Sequence, residues 1–193
     1  MTVIEIMRHG AVAGPPCFRG HSDDPLSPQG WRQMKRATQG RRWQRIISSP
    51  LRRCADFAQA LARRQAIPLG LDKRLMEMDF GAWEGHTPAA VMAQDPDALA
   101  RFWAAPHESP PPDGERLVDF EARVLAAWRD VVDGADHQRL LLITHGGVMR
   151  VLLCHLQGLP AAALLEIEVK HAALFAVRAA GKAGAPPTPV LVE

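Results

Sequence analysis

Two short apolar runs near opposite ends of this 193-residue chain stop on the same kind of signature. Val3-Ile4-Glu5-Ile6-Met7 runs into Arg8-His9-Gly10, and Leu140-Leu141-Leu142-Ile143-Thr144 runs into His145-Gly146-Gly147. Runs of this length read as buried strands, with glycine starting the turn beyond each. Strand-like and helical stretches alternate between them. That order predicts a three-layer α/β/α sandwich with a mostly parallel sheet. In such a sheet, ligands bind just past the carboxyl ends of the strands. A histidine at that place can attack an electrophile, and an arginine can hold an anion.

The elements between the two runs follow from local signals. Ser27-Pro28 reads as an N-cap with proline at the first helical position, and the helix runs to about Gly40. Arg45-Ile46-Ile47-Ser48 reads as a second strand. Ser49-Pro50 repeats the cap-plus-proline start, and residues 51–65 carry an apolar stripe at Leu51, Cys54, Ala55, Ala58, Leu61 and Ala62. A third strand is placed near Leu69–Leu71. Residues 88–104 read as helix broken at Asp95-Pro96, and Pro106 to Gly114 as a proline-rich loop. Residues 116–132 form an amphipathic helix, with Leu117, Phe120, Val124, Ala127, Trp128 and Val131 on one face. A helix over Val148–Leu156 ends near Gly158, and Ala172–Val177 is a late strand. Residues 181–193 read as a flexible tail in which Val190-Leu191-Val192 can pair at a sheet edge. The whole chain, 1–193, is expected to be one domain, with residues 86–115 as a lid or insertion.

The bulk properties exclude several classes. The formal net charge is +2, and the densest basic cluster, Arg41-Arg42 with Arg45, is broken by Trp43. Neither feature supports a nucleic-acid partner. No apolar stretch is long and uncharged enough to span a membrane. No signal peptide fits the first residues, and cytoplasmic location is expected. Cys17, Cys54 and Cys154 show no metal spacing and cannot all pair, which favours a reducing compartment. No metal or cofactor is expected. His21, His86, His107, His137 and His155 show no ligand spacing, and Trp31, Trp43, Trp103 and Trp128 read as core. The oligomeric state is left open, a homodimer included.

Four ordered segments resemble the histidine phosphatase superfamily, which has the phosphoglycerate mutase-like fold. They are Arg8-His9-Gly10, Ser49-Pro50-Leu51-Arg52-Arg53-Cys54, the stretch Leu75 to Gly85, and Thr144-His145-Gly146-Gly147. The resemblance implies a phosphohistidine at His9, phosphate binding by Arg8, Arg53 and His145, and acid–base work by Glu77, with Asp79 and Glu84 as rivals. This matches the chemistry. Phosphoryl transfer needs positioning and positive charge, and a guanidinium fork or a helix N-terminus supplies both. Of the two adjacent arginines, Arg52 is read as the solvated one. His171 is read as a neighbour of the site. Trp83 is expected to wall the pocket, and Glu115 to lie near its mouth or to start a helix.

Some positions depart from the family pattern. Ala11-Val12 and Pro15 stand where Glu-Thr and an asparagine are common, and Phe57 replaces a threonine. Gly20 to Ser27 still resembles a family loop, so Arg19, or N–H groups beside Gly20, are expected to supply the missing phosphate contact. Among subfamilies, the stretch around Glu77 looks most like bacterial α-ribazole phosphatases. A phosphomonoesterase that needs no metal is therefore expected, acting on a small-molecule ester such as α-ribazole 5′-phosphate in cobalamin synthesis. A broad-specificity phosphatase, a phosphoglycerate mutase and an inactive binding module are the alternatives.

Overall fold

The computed structural model describes residues 2–135, 138–179 and 188–190. His137 and most of the tail at 181–193 lie outside the described residues. The first half of the chain forms β1 (Thr2–Arg8), α1 (Pro28–Ala37), β2 (Arg45–Ser48), α2 (Arg52–Gln65) and β3 (Leu69–Leu71). The second half forms α3 (Pro88–Gln94), α4 (Ala98–Ala104), α5 (Leu117–Asp133), β4 (Arg139–Thr144), α6 (Gly146–Gln157), β5 (Leu174–Ala179) and β6 (Thr188–Val190). The strands form one six-stranded sheet in the order β3-β2-β4-β1-β5-β6. The pairs β1–β4, β2–β4 and β2–β3 are parallel, and β5 runs antiparallel to both β1 and β6. The sheet is mostly parallel, as the alternation of elements predicts.

Side-chain alternation along the strands splits the interior into two cores. Ile4, Ile6, Leu140 and Leu142 face α5 and α6, whereas Met7, Leu141 and Ile143 face α1 and α2. One polar residue breaks this pattern. Glu5, in the middle of β1, is 1% exposed. Arg41 reaches its carboxylate at 2.6 Å, Arg139 at 3.0 Å through two nitrogens, and the Trp43 indole N–H donates to it as well. The sequence run Val3–Met7 carries no sign of this network, because all three partners come from other segments. Removing the buried carboxylate leaves the Trp43 indole N–H unpaired and takes the shared anion from Arg41 and Arg139, which are 25% and 44% exposed. Glu5→Ala is therefore expected to destabilise the fold by about 3 kcal/mol, read as a lower urea midpoint at unchanged m-value.

Helix starts explain where the loops go. Ser27 caps α1 by accepting from the Gly30 N–H at 3.0 Å, and its hydroxyl also donates to the Ala11 carbonyl at 3.0 Å. This ties α1 to the chain leaving β1. The contact is very close: a β-carbon on Gly10 would fall 2.3 Å from the Gly30 carbonyl oxygen. Ser49 does not cap α2 as expected. The cap position is Leu51, without a side-chain bond, and α2 begins at Arg52. Instead, the Asp23 carboxylate accepts the Arg52 N–H at 2.6 Å and fixes the 19–24 loop to the helix start. α6 begins at Gly146, two residues before the expected start, with His145 as its cap residue. The break at Asp95-Pro96 separates α3 from α4. β6 pairs with β5 at the sheet edge, with Val190 opposite Ala176.

Candidate active site

Strand register alone brings the two histidine signatures together. Arg8 of β1 lies opposite Thr144 of the neighbouring β4, so residues 9 and 145 leave the sheet side by side. Their rings are 5.2 Å apart, centroid to centroid, and meet at 62°. β2 ends level with them, since Ser48 pairs with Ile143. The turn at Ala172, whose N–H donates to the His9 carbonyl at 3.1 Å, places His171 5.8 Å from His9.

The hydrogen bonds assign both tautomers. His9 Nδ1–H donates to the Gly10 carbonyl at 2.8 Å, since a carbonyl can only accept. The Nε2 lone pair is left free. For His145, the Arg53 Nε–H donates to Nδ1 at 3.2 Å, so Nε2 carries the proton and donates to the Ser49 hydroxyl at 2.7 Å. Both rings are held neutral. Burial pushes each imidazole well below its usual range, and the charge of Arg53 lowers both further.

This depression has a consequence for stability. Below about pH 6.5 an unfolded chain protonates these two imidazoles, while the folded state resists. Stability is therefore complete above that pH and falls as the pH drops through it. Each ring contributes at most about 1.4 kcal/mol per pH unit. Denaturant midpoints measured from pH 7.5 to 5 should fall, and His9→Gln should make the fall shallower.

The arginines divide in an unexpected way. Arg53 is 0% exposed, and its Nη1 and Nη2 donate to the Ser22 and Gly20 carbonyls, each at 2.6 Å. His145 is also 0% exposed. In this arrangement the His145 Nε2–H is taken by Ser49, and Arg53 keeps a single Nη1–H without an acceptor among the described residues. They form a supporting layer under His9, which is 6% exposed, and Arg53 adds a fixed positive charge. Arg8 differs. Its Nη1 donates to the Val169 carbonyl, but its Nε is buried without a hydrogen-bond partner among the described residues. Arg52 points outward and approaches Asp56 at 3.5 Å.

Glu77 sits in an irregular stretch between short 3-10 turns at Lys73–Leu75 and Gly81–Trp83. Its carboxylate accepts the Gly147 N–H at 3.0 Å, at the amino-terminal end of α6. One α5 side chain, which sequence reasoning missed, holds this stretch. Arg123 donates to the carbonyls of Arg74, Met76 and Glu77 at 2.7–2.9 Å. It also forks onto the Glu115 carboxylate at 2.6 and 2.8 Å. Glu115 closes the clamp from the other side, donating its own N–H to the Asp79 carbonyl at 2.9 Å. Nothing in the chain marks Arg123, because it reads as the polar face of an amphipathic helix. Ser49 reads as a cap and as the start of the Ser49–Cys54 segment, and neither reading marks its bond to His145.

Other expectations change as well. Arg19 is bound within its own loop, by Asp24 at 3.1 Å and by the Ala13 and Pro15 carbonyls at 3.0 and 2.7 Å, so it braces that loop. Gly20 serves through its carbonyl on Arg53, not through an N–H. A β-carbon there would fall 2.2 Å from the Met78 carbonyl oxygen. Glu84 accepts from the His21 and Ser22 N–H groups, each at 2.6 Å, and Asp79 accepts from Gly81 at 2.8 Å. Both rivals of Glu77 are thus occupied in shaping loops. Trp83 is buried behind the pocket wall, stacked near Phe18 and Phe102, whereas Trp103, read as core, is 51% exposed and lines the pocket.

A family model for the histidine phosphatase superfamily, branch 1, matches residues 4–185. The chain belongs to this family. Its adenosylcobalamin/alpha-ribazole phosphatase relative from Salmonella typhimurium is 28% identical over 179 residues, 89% of this chain and 88% of that protein. The glucosyl-3-phosphoglycerate phosphatase of Mycolicibacterium vanbaalenii is 34% identical over 169 residues, covering 80% and 74%. The solved structure of Bacillus stearothermophilus YhfR superposes with a TM-score of 0.87 at 27% identity, over 99% of this chain and 95% of that one. Some mycobacterial relatives, at 33% identity over 159 residues, are longer: the chain spans 43% of their length. Among the described residues no helix is long and apolar enough to cross a membrane.

Proposed function

We propose that this chain is a phosphomonoesterase that acts through a phosphohistidine at His9, without a metal, on small-molecule phosphate esters in the cytoplasm. The observation that carries the reading is the state of His9: a neutral ring, its Nδ1–H anchored on a carbonyl and its Nε2 lone pair free, preceded by Arg8, whose buried Nε has no partner among the described residues. Two guanidiniums against one carboxylate favour a dianion and repel a divalent cation.

The steps follow from these atoms. Arg8 seats the phosphoryl oxygens, and Nε2 of His9 attacks phosphorus in line. The bond from phosphorus to the ester oxygen breaks, and the leaving oxygen takes a proton from Glu77. Water then attacks the phosphohistidine, Glu77 takes up its proton, and inorganic phosphate departs from a restored His9. Ser49 and Arg53 keep His145 oriented beside the reacting group, and Arg53 supplies charge that needs no rearrangement.

For the substrate, we take α-ribazole 5′-phosphate as the finer reading. It is supported by the stretch around Glu77 and by the similarity to the Salmonella enzyme. A broad-specificity phosphatase is the second reading, favoured by the few fixed polar groups around the pocket. A panel of α-ribazole phosphate, 3-phosphoglycerate and nucleotides, assayed for phosphate release with chelator present, tests these together. Phosphate release with acid-labile label on His9 is expected. Isomerisation of phosphoglycerate without release would indicate a mutase, and an inert, well-folded protein would indicate a binding module.

A further inference from the structure

The chain enters β5 through a turn that is pinned to the Arg8-His9 strand tip. The Ala172 N–H donates to the His9 carbonyl at 3.1 Å, and the Arg8 N–H donates to the Ala173 carbonyl at 3.0 Å. Ala172 holds a left-handed backbone, φ 56°, which a residue with a β-carbon disfavours. This turn carries the His171 ring to 5.8 Å from His9, tilted by 46°. His171 is exposed, whereas His9 is buried, so the first ring flanks the way from solvent to the second.

The surroundings of His171 are cationic. The guanidiniums of Arg8, from β1, and Arg19, from the loop that follows, act on its ring, and Lys170 precedes it in the chain. Arg53 of α2 and the neutral rings of His9 and His145 stand beside them, and Glu77 acts on Arg8. Among the described residues the His171 ring has no hydrogen-bond partner and no carboxylate against it. Burial first, then Arg8 and Arg19, hold its imidazole below the usual range, which keeps it neutral near pH 7.

We propose that His171 is a further phosphate-binding group, which donates a ring N–H to an oxygen of the phosphoryl group at His9 and takes up a proton when the dianion arrives. The assignment rests on the reading of His9 as the phosphorylated residue. The proton comes from solvent and returns there when phosphate departs. Other donors at this place are largely committed: the His145 Nε2–H serves Ser49, Arg53 keeps one N–H, and Arg19 is held within its own loop. A dianion opposes the two guanidiniums and favours the imidazolium, whose hydrogen bond is about twice as strong as a neutral one. The contribution of His171 therefore grows as the pH falls toward the ordinary imidazole range.

Calorimetric titration with inorganic phosphate at pH 8 and pH 6 reads this without turnover. His171→Ala should weaken binding about fivefold at pH 8 and about 20-fold at pH 6. Comparison with the parent at each pH sets aside the titration of phosphate itself. At pH 6, buffers of different ionisation enthalpy count the protons taken up, and the variant should take up fewer. His171→Gln keeps a neutral donor, so it should recover most of the loss at pH 8 and little of it at pH 6. A variant-to-parent ratio that changes less than twofold between the two pH values overturns the assignment, as does unchanged proton uptake. A merely structural turn residue would give that result while lowering the urea midpoint. If phosphate binds with the expected ratios but His9 takes no label during turnover of an ester, the phosphohistidine reading fails and the binding role of His171 stands. A parent protein that binds no phosphate at either pH overturns both.

Discussion

Replacing His9 with alanine is expected to lower kcat by about four orders of magnitude or more and to eliminate acid-labile phosphate on the protein. Loss of a nucleophile removes the covalent route entirely, and what remains is binding and electrostatic stabilisation. The fold should survive, because among the described residues the ring makes one hydrogen bond, to the adjacent Gly10 carbonyl. At pH 5.5 the variant should even lose less stability than the parent, since it removes a buried imidazole that resists protonation. Rapid-quench labelling and a urea titration measure these two outcomes separately. Label that persists in the variant would move the nucleophile to another residue, with His171 at 5.8 Å the first to examine.

Glu77→Gln is expected to slow alkyl esters by about 10²- to 10⁴-fold and nitrophenyl phosphate far less. An alkoxide leaves poorly without a proton, whereas a nitrophenolate leaves unaided. The slope of log kcat against leaving-group pKa should therefore steepen. Arg123 gives a second handle on the same group, because its guanidinium holds the carbonyls on either side of Glu77 and does not enter the reaction. Arg123→Gln should reproduce the steeper slope in weaker form. Combined with Glu77→Gln, it should add little for alkyl esters, because a positioning residue has no effect once the group it positions is gone. Additive losses in the double variant would make Arg123 a general prop of the fold. Equal slowing by Glu77→Gln across the leaving-group series would remove Glu77 from the acid role.

Much of the architecture could be read from local chemistry. The apolar runs before His9 and His145, the Ser27-Pro28 helix start and the Asp95-Pro96 break are short-range signals, and each element formed close to where those signals place it. The boundaries that moved were decided by neighbours. Ser49 left the helix cap because His145 Nε2 offered it a partner. Trp103 left the core because α4 turns it toward the cavity, while Phe102 on the same helix faces inward.

The sequence by itself determined the order of strands and helices and put reactive side chains at strand tips, because backbone preferences and apolar periodicity act within a few residues. Only the tertiary structure decided what those side chains do. The level ends of β1 and β4 set the spacing of the two imidazoles, and Arg53 spends its donors on the Gly20 and Ser22 carbonyls and on His145. Arg123, invisible on its helix, clamps the stretch that carries Glu77. Each of these depends on a hydrogen-bond partner dozens of residues away, and buried donors must be satisfied wherever the fold supplies an acceptor.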